Sequence, residues 1–197
     1  FAKNSQLKSI GDSAFAHCSS LTSIEIPEGV KTIGKGAFAY CFKLTSVTIP
    51  SSVESIGQYA FVGCSALMSI EIPEGVKTIG GGAFKSCNAL RKISIPASVT
   101  TINSIPAEIF ASCTGPIAVT YGGSQEQWDN FKVNFPDNLT VKCTGHTVKF
   151  DANGHGTAPE NIYVENGKTI PADKKPADLT ETGYTFKGWY YTENGVE

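Results

Sequence analysis

The phrase SIEIPEGVKTIG occurs at residues 23–34 and again at 69–80. The offset of 46 residues is two copies of a 23-residue unit. A fixed period of this size marks a solenoid, in which each coil buries its apolar face against its neighbours and not against itself. A chain built this way is expected to present an extended surface and no enclosed catalytic pocket.

Isoleucine–glycine pairs set the frame at Ile10-Gly11, Ile33-Gly34, Ile56-Gly57 and Ile79-Gly80, and Ile102 continues the series with Asn103 in the glycine slot. Five residues after each isoleucine stands Phe15, Phe38, Phe61 or Phe84. Three further on stands Cys18, Cys41, Cys64 or Cys87, and three beyond that Leu21, Leu44, Leu67 or Leu90. An alternating stretch follows, as in Leu21-Thr-Ser-Ile24-Glu-Ile26, and ends at Pro27, Pro50, Pro73 or Pro96. Alternation reads as strand, and proline closes it because it cannot donate to a central ladder. Glu28-Gly29 turns the chain, Val30 and Ile33 lead a second extended segment, and Gly34 is expected to open a short helical or 3₁₀ turn. That turn carries Ala37 and Phe38 inward, and each phenylalanine fills the centre of its coil.

Two coils depart from the pattern. Phe1 to Phe15 spans 14 residues, with Asn4 in the cysteine slot, so nine residues of strand and turn are missing there. Ile102 to Phe110 is eight steps where five are usual, and the extra segment holds Pro106. Terminal repeats often depart from the consensus. The chain begins mid-coil without Met, which leaves room for coils upstream. Near the other end, Ser124 and Gln127 have capping-box spacing for a short helix, with Trp128 and Phe131 on one face. This helix is expected to cover the edge of the last coil, where open strands would otherwise invite pairing.

Cys18, Cys41, Cys64 and Cys87 fill one slot in successive coils, so they should stack about 4.8 Å apart with parallel side chains. Disulfide geometry needs converging Cβ vectors, so this column reads as buried free thiols. Cys113 and Cys143 lie outside the 23-residue spacing, and a bridge between them stays open.

The net charge of −2 gives no basic footprint for nucleic acid, and no apolar run is long enough to span a bilayer. His17, His146 and His155 lack metal-ligand partners at helical spacing, and His17 reads as an exposed residue. Asp151-Ala-Asn153-Gly-His155 imitates the start of an EF-hand loop, but its twelfth position is Ile162 where glutamate is required. No nucleophile elbow, phosphate loop or paired-carboxylate pattern occurs. No catalytic residue, metal ligand or cofactor is therefore assigned, and an enzyme is not expected.

What remains is the outward side of the strands. Its first column is Thr22, Thr45, Met68, Arg91; its second Ser23, Ser46, Ser69, Lys92; its third Glu25, Thr48, Glu71, Ser94. The candidate ligand-binding residues are Thr22, Glu25, Thr45, Thr48, Met68, Glu71, Arg91, Lys92 and Ser94. Met68 with Arg91 is the most interface-like pair, because these residue types are enriched at interfaces. The plain alternative is a solvated face whose Thr and Ser merely suit strands.

The repeat resembles the BspA-like leucine-rich repeat family, whose unit runs roughly L-x-x-I-x-I-P-x-x-V-x-x-I-G-x-x-A-F-x-x-C, over about residues 1–143. The resemblance implies a mainly β solenoid with short helical or 3₁₀ turns and a cap at about 121–143. It implies that Cys or Asn at the bend bonds to backbone. It also implies secreted or surface-anchored bacterial proteins, several of them adhesins for host matrix proteins.

Composition changes after Cys143-Thr-Gly145. Val148-Lys-Phe150-Asp151-Ala-Asn153-Gly154, Val164-Glu-Asn-Gly167-Lys168 and Gly183-Tyr184-Thr-Phe186-Lys-Gly188-Trp189-Tyr190 resemble the Listeria–Bacteroides repeat. That resemblance implies a small β-grasp-like α+β module over 146–197. The family pattern continues past the tryptophan into one more strand, so the module is expected to be incomplete and less stable.

The expected function is non-enzymatic adhesion through the solenoid strand face, at a bacterial surface or outside the cell. The expected partner is a host extracellular matrix or surface protein, or a glycan, with no nucleic acid and no direct membrane insertion. A structural spacer within a larger surface protein is the alternative.

Overall fold

The computed structural model describes residues 5–102, 108–131, 137–148 and 162–165. Short strands alternate along the repeat: β1 (Ser9–Ile10), β2 (Ser23–Glu25), β3 (Thr32–Ile33), β4 (Ser46–Thr48), β5 (Ser55–Ile56), β6 (Ser69–Glu71), β7 (Thr78–Ile79), β8 (Lys92–Ile95) and β9 (Thr101–Ile102). Then come β10 (Ile117–Tyr121), helix α1 (Gln125–Asn130), β11 (Leu139–Cys143), β12 (Gly145–Val148) and β13 (Ile162–Glu165).

The odd strands β1-β3-β5-β7-β9 form a five-stranded parallel sheet. Its register sets Ile10, Ile33, Ile56, Ile79 and Ile102 side by side, all of them buried. The even strands, joined at the far end by β11, form the opposite wall in two parallel pieces, β2-β4 and β6-β8-β10-β11. The result is a β-solenoid in which each parallel ladder joins neighbouring coils.

A third wall joins the two sheets, and here the structure differs from the expected helical turn. Over residues 11–17 and their equivalents the chain makes successive tight turns with left-handed residues at fixed places. One column of these is Ser13, Gly36, Tyr59, Gly82, and a second is His17, Tyr40, Gly63, Ser86 and Ser112, with φ between 54° and 70° throughout. Alternate N–H groups close local turns, as Ala37 donates to Gly34 O. The others cross to the next coil: Gly36, Phe38 and Tyr40 donate to Gln58, Ala60 and Val62 carbonyls. A helix would have satisfied these donors within its own coil. The left-handed residues rotate them outward, so this wall is also a ladder between coils.

The glycine of each isoleucine–glycine pair has a separate cause. A Cβ on Gly57 would lie 2.6 Å from the Gly34 carbonyl carbon, because consecutive coils meet there backbone to backbone.

Within the walls the phenylalanines form one continuous stack. Ring centroids are 5.3 Å apart for Phe15–Phe38, 5.2 Å for Phe38–Phe61, 5.7 Å for Phe61–Phe84 and 6.1 Å for Phe84–Phe110. The three added residues before Phe110 do not break the stack, since Phe84 N–H donates to Ile109 O where Phe61 N–H donates to Ala83 O. Phe38, Phe61, Phe84 and Phe110 have no exposed surface.

The cysteine column also runs through the insertion. Cys41, Cys64, Cys87 and Cys113 donate from Sγ to the carbonyls of Phe15, Phe38, Phe61 and Phe84, at 3.1–3.3 Å. Each thiol thus ties its coil to the previous one. All six cysteines are free, Cys113 and Cys143 included, so the bridge left open by spacing is not made. Cys18 is exposed and not buried, unlike the rest of its column.

A latch explains why identity recurs at 46 residues and not at 23. Gly29, with φ of 91°, donates its N–H to Ser52 Oγ at 3.0 Å, and that hydroxyl donates to Val30 O at 2.9 Å. Gly75 and Val76 meet Ser98 in the same way, at 3.3 and 2.9 Å. Turns with Glu-Gly and turns with serine alternate, so two coils make one complete joint.

At the far end Tyr121, Trp128 and Phe131 pack at steep ring angles of 54–89°, with centroids 5.3–5.8 Å apart. Ser124 and Gln127 form the expected capping box at the start of α1. Trp128 is buried and joins the core. The open edge of β10, which the helix was expected to cover, is instead taken by β11, paired with it from Ile117–Leu139 to Tyr121–Cys143. Beyond it, β12 and β13 pair antiparallel, Gly145 opposite Glu165. The remaining features of the second module, from Phe150 to Asn161 and from Asn166 onward, lie outside the described residues.

A candidate binding face on the even strands

Strands of the form Ser-Ile-Glu or Ser-Val-Thr put one β-branched residue inward and two polar residues outward, as alternation requires. The parallel register then aligns equal positions across coils: Ser23 with Ser46 and Glu25 with Thr48, then Ser69 with Lys92 and Glu71 with Ser94. The columns read from the sequence are therefore real rows on one face. Thr22, Glu25, Thr45, Thr48, Met68, Glu71, Arg91 and Lys92 are exposed, and Ser94 is half-buried.

The face is longer than the four-coil pattern indicates. β10 and β11 continue it in register, Ala118 and Thr120 beside Lys92 and Ser94, then Thr140 and Lys142 beside them. The signal for this lay in the alternation of IAVTY and LTVKC, which repeat the strand pattern outside the 23-residue spacing. The third row thus runs Glu25, Thr48, Glu71, Ser94, Thr120, Lys142, with carboxylates at one end and an ammonium at the other.

Where the strands turn at their prolines, the face holds a shallow groove of about 220 Å³. Glu71, Glu74, Ser94, Thr120 and Thr144 line it. Two carboxylates and three hydroxyls on fixed backbone suit hydrogen-bonding donors or a cationic group. Thr144 Oγ1 donates to Tyr121 O at 3.1 Å, which fixes its position at the rim.

Arg91 is held differently from its neighbours. Its NH1 donates to the carbonyls of Asn88 at 2.9 Å and Leu90 at 2.8 Å. The guanidinium lies over Gly115, where any Cβ would collide with it. The guanidinium is thus tied to carbonyls of its own coil while it packs against the next one at Gly115. Met68, 59% exposed, stands free of such a role.

Large exposed apolar residues occur elsewhere too. Tyr40 is 41% exposed and Phe42 48%. Both belong to the corner between the turn wall and the strand face, where sequence inspection assigned no role. His17, exposed as expected, stacks on Tyr40 at 4.9 Å. The signal was present in the columns, since Phe42 fills a slot that holds Ser19, Ser65 and Asn88 in other coils.

Among the described residues no group of three His, Cys, Asp or Glu side chains converges as a metal site would require. Burial pushes the thiol of Cys64 up to about 12 and that of Cys87 well above its ordinary value. Thiols so raised are protonated at neutral pH and poor nucleophiles. No helix among the described residues is long and apolar enough to cross a membrane.

Residues 1–116 match the BspA type leucine rich repeat region, in six copies, and residues 146–197 match the Listeria-Bacteroides repeat domain. A leucine rich cell surface protein of Faecalibacterium prausnitzii is 37% identical, with a TM-score of 0.60, over 66% of this chain and 33% of that one. A leucine rich repeat protein of T. pallidum is 32% identical, with a TM-score of 0.50, over 57% and 51% of the two chains. A leucine-rich repeat protein of Bacteroides ovatus is 27% identical, with a TM-score of 0.56, over 73% and 38%. The chain therefore spans between 33% and 51% of the length of these structures. No curated protein matches it.

Proposed function

Because this chain belongs to the BspA-type leucine-rich repeat proteins, we propose that it is a non-enzymatic binding module of a secreted or cell-surface bacterial protein. Its work is adhesion, through the even-strand face, to a host matrix or surface protein or to a glycan. The observation that carries this reading is the continuous polar row Glu71, Ser94, Thr120, Lys142 over β6, β8, β10 and β11, with the groove at its Glu71 end. Solenoids use such extended faces for partners, because a rigid row of side chains loses little entropy on binding.

The solenoid over 1–143 and the module over 146–197 act as separate units in this reading, the second a β-grasp-like spacer or accessory binder. Likeness to a protein described as a cell surface protein supports the location. The spacer alternative predicts a face that binds nothing.

Immobilised binding against a panel of matrix proteins, mucins and glycans decides between them, with a variant carrying Met68→Ala, Glu71→Lys and Lys92→Glu. Arg91 is left intact because it braces Gly115. The adhesin reading expects specific binding that the variant loses by at least about tenfold, the scale of a few exposed contacts. Binding that the variant retains moves the site off this face. No binding to any panel member favours the spacer.

A further inference from the structure

The corner at Tyr40 and Phe42 is unlike the corner of any other coil. Cys41 and Leu44 have no exposed surface, and Leu44 N–H donates to Cys41 O at 3.0 Å. The two residues between them, Phe42 and Lys43, are therefore thrust outward at the tip of the turn. Other coils place Ser19-Ser20, Ser65-Ala66 and Asn88-Ala89 there. Packing does not demand the phenylalanine, since the same turn forms without it.

Tyr40 is displayed at a cost. It sits in the left-handed region, with φ of 58°, as does His17 at 60°. That conformation is disfavoured for a side chain of this size, and Gly63 shows that the fold accepts glycine in the same slot. The ring is fixed between two neighbours. His17 stacks on one side at 19°. On the other side lies Gly63, where a Cβ would come within 2.6 Å of Tyr40 Cδ1. Tyr40 thus presents its edge and hydroxyl, and that hydroxyl has no hydrogen-bond partner among the described residues. In the next coil Tyr59 donates its hydroxyl to Glu108 Oε2 at 3.1 Å, so it is used internally. Phe42, 48% exposed, lies 6.1 Å from Tyr40 with its ring tilted by 49°.

Both charged side chains of this turn and corner, over residues 35–44, are lysines. Lys43 adjoins Phe42, and Lys35 lies on the same coil. The one carboxylate of the neighbouring turn, Asp12, is taken up by the Lys35 backbone N–H at 2.7 Å. A convex step of one ring face, one hydroxyl and one ammonium suits a flat ligand with an apolar side, polar edges and a negative group. A pyranose carboxylate has these three parts: its C–H face meets the electron-rich ring face, its hydroxyls meet Tyr40, and its carboxylate meets Lys43.

We propose that Phe42, Tyr40 and Lys43 form a carbohydrate site, separate from the strand face, that stacks a hexuronate unit of an acidic polysaccharide. The probe is a hyaluronan oligosaccharide, titrated against the whole chain by calorimetry. Chito-oligosaccharide serves as the neutral control and polyglutamate as the non-sugar polyanion. Phe42→Ser installs the residue that two other coils carry, so the fold is kept, and an unchanged melting temperature verifies this. Loss of affinity by about tenfold in Phe42→Ser is expected from the missing ring contact. Lys43→Gln should weaken binding about threefold and flatten its salt dependence. Equal affinity for polyglutamate, equal affinity for the neutral sugar, indifference to Phe42→Ser, or no binding of hyaluronan would each overturn the assignment.

Discussion

Phe61 and Phe15 fill the same slot of the same repeat, yet one has no exposed surface and the other is half-buried. The same holds for Leu67 against Leu21 and for Cys64 against Cys18. A Cβ on Gly57 would strike the backbone of the coil beside it, whereas one on Gly11 would meet nothing within 4 Å. The sequence of a coil is almost constant, so the difference comes from its neighbours. A residue in this fold contributes what the adjoining coils allow, which is the behaviour expected of a one-dimensional stack.

Truncation of the ring tests this most severely. Phe61→Ala should lower stability by about 3–5 kcal/mol, as for a ring lost from a closed core. Phe15→Ala should cost roughly 1–2 kcal/mol, because part of that ring is already in water. Denaturant melts of the two variants give the ratio, and equal losses would remove the contrast between the coils. A subtler pair adds one carbon instead of removing six. Gly57→Ala should cost about 2–3 kcal/mol through forced separation of two backbones, while Gly11→Ala should change stability by less than about 0.5 kcal/mol.

The thiols give the finest comparison. Desolvation raises Cys64 from an ordinary 9.0 to about 12, and it raises Cys41, Cys87 and Cys113 in the same direction. A thiol raised in the folded state favours folding fully below its unfolded value and loses that advantage as pH climbs toward the folded one. Stability should therefore hold steady to about pH 8.5 and decline between there and pH 12, by roughly 1 kcal/mol at pH 10 for Cys64 alone. Melts across this range in wild type and Cys64→Ala check it, the variant showing the shallower decline. In the same experiments iodoacetamide should label Cys18 in the native protein and spare Cys64 and Cys87 until they unfold.

Much of this was legible from spacing. The phenylalanine stack, the closing prolines, the exposed strand rows and the capping box of α1 all followed from periods and residue types. The wall of left-handed turns did not. Ser13, Tyr59 and His17 have no residue-type tendency toward positive φ strong enough to announce it, and the conformation is imposed by hydrogen bonds to the next coil. Cys113 was set apart because it breaks the 23-residue count, although the three-residue insertion lies wholly before Phe110 and leaves the column intact. The packing of Arg91 over Gly115 was not legible, because Gly115 lies in another coil outside the 23-residue spacing. Phe42 was overlooked for the opposite reason: it is an exception within a column, and a search for periodicity discards exceptions.

The paired latch of Gly29 with Ser52 and Gly75 with Ser98 bears on how such a chain can change length. Removing one coil would set two glycine turns, or two serine turns, against each other, and both the donor and its hydroxyl would lose their partners. Removing two would bring an intact glycine turn onto an intact serine turn. Genetic gain or loss of repeats in this solenoid is therefore quantised: 46-residue steps pass unnoticed by the fold, and half-steps leave a faulty joint on which selection acts.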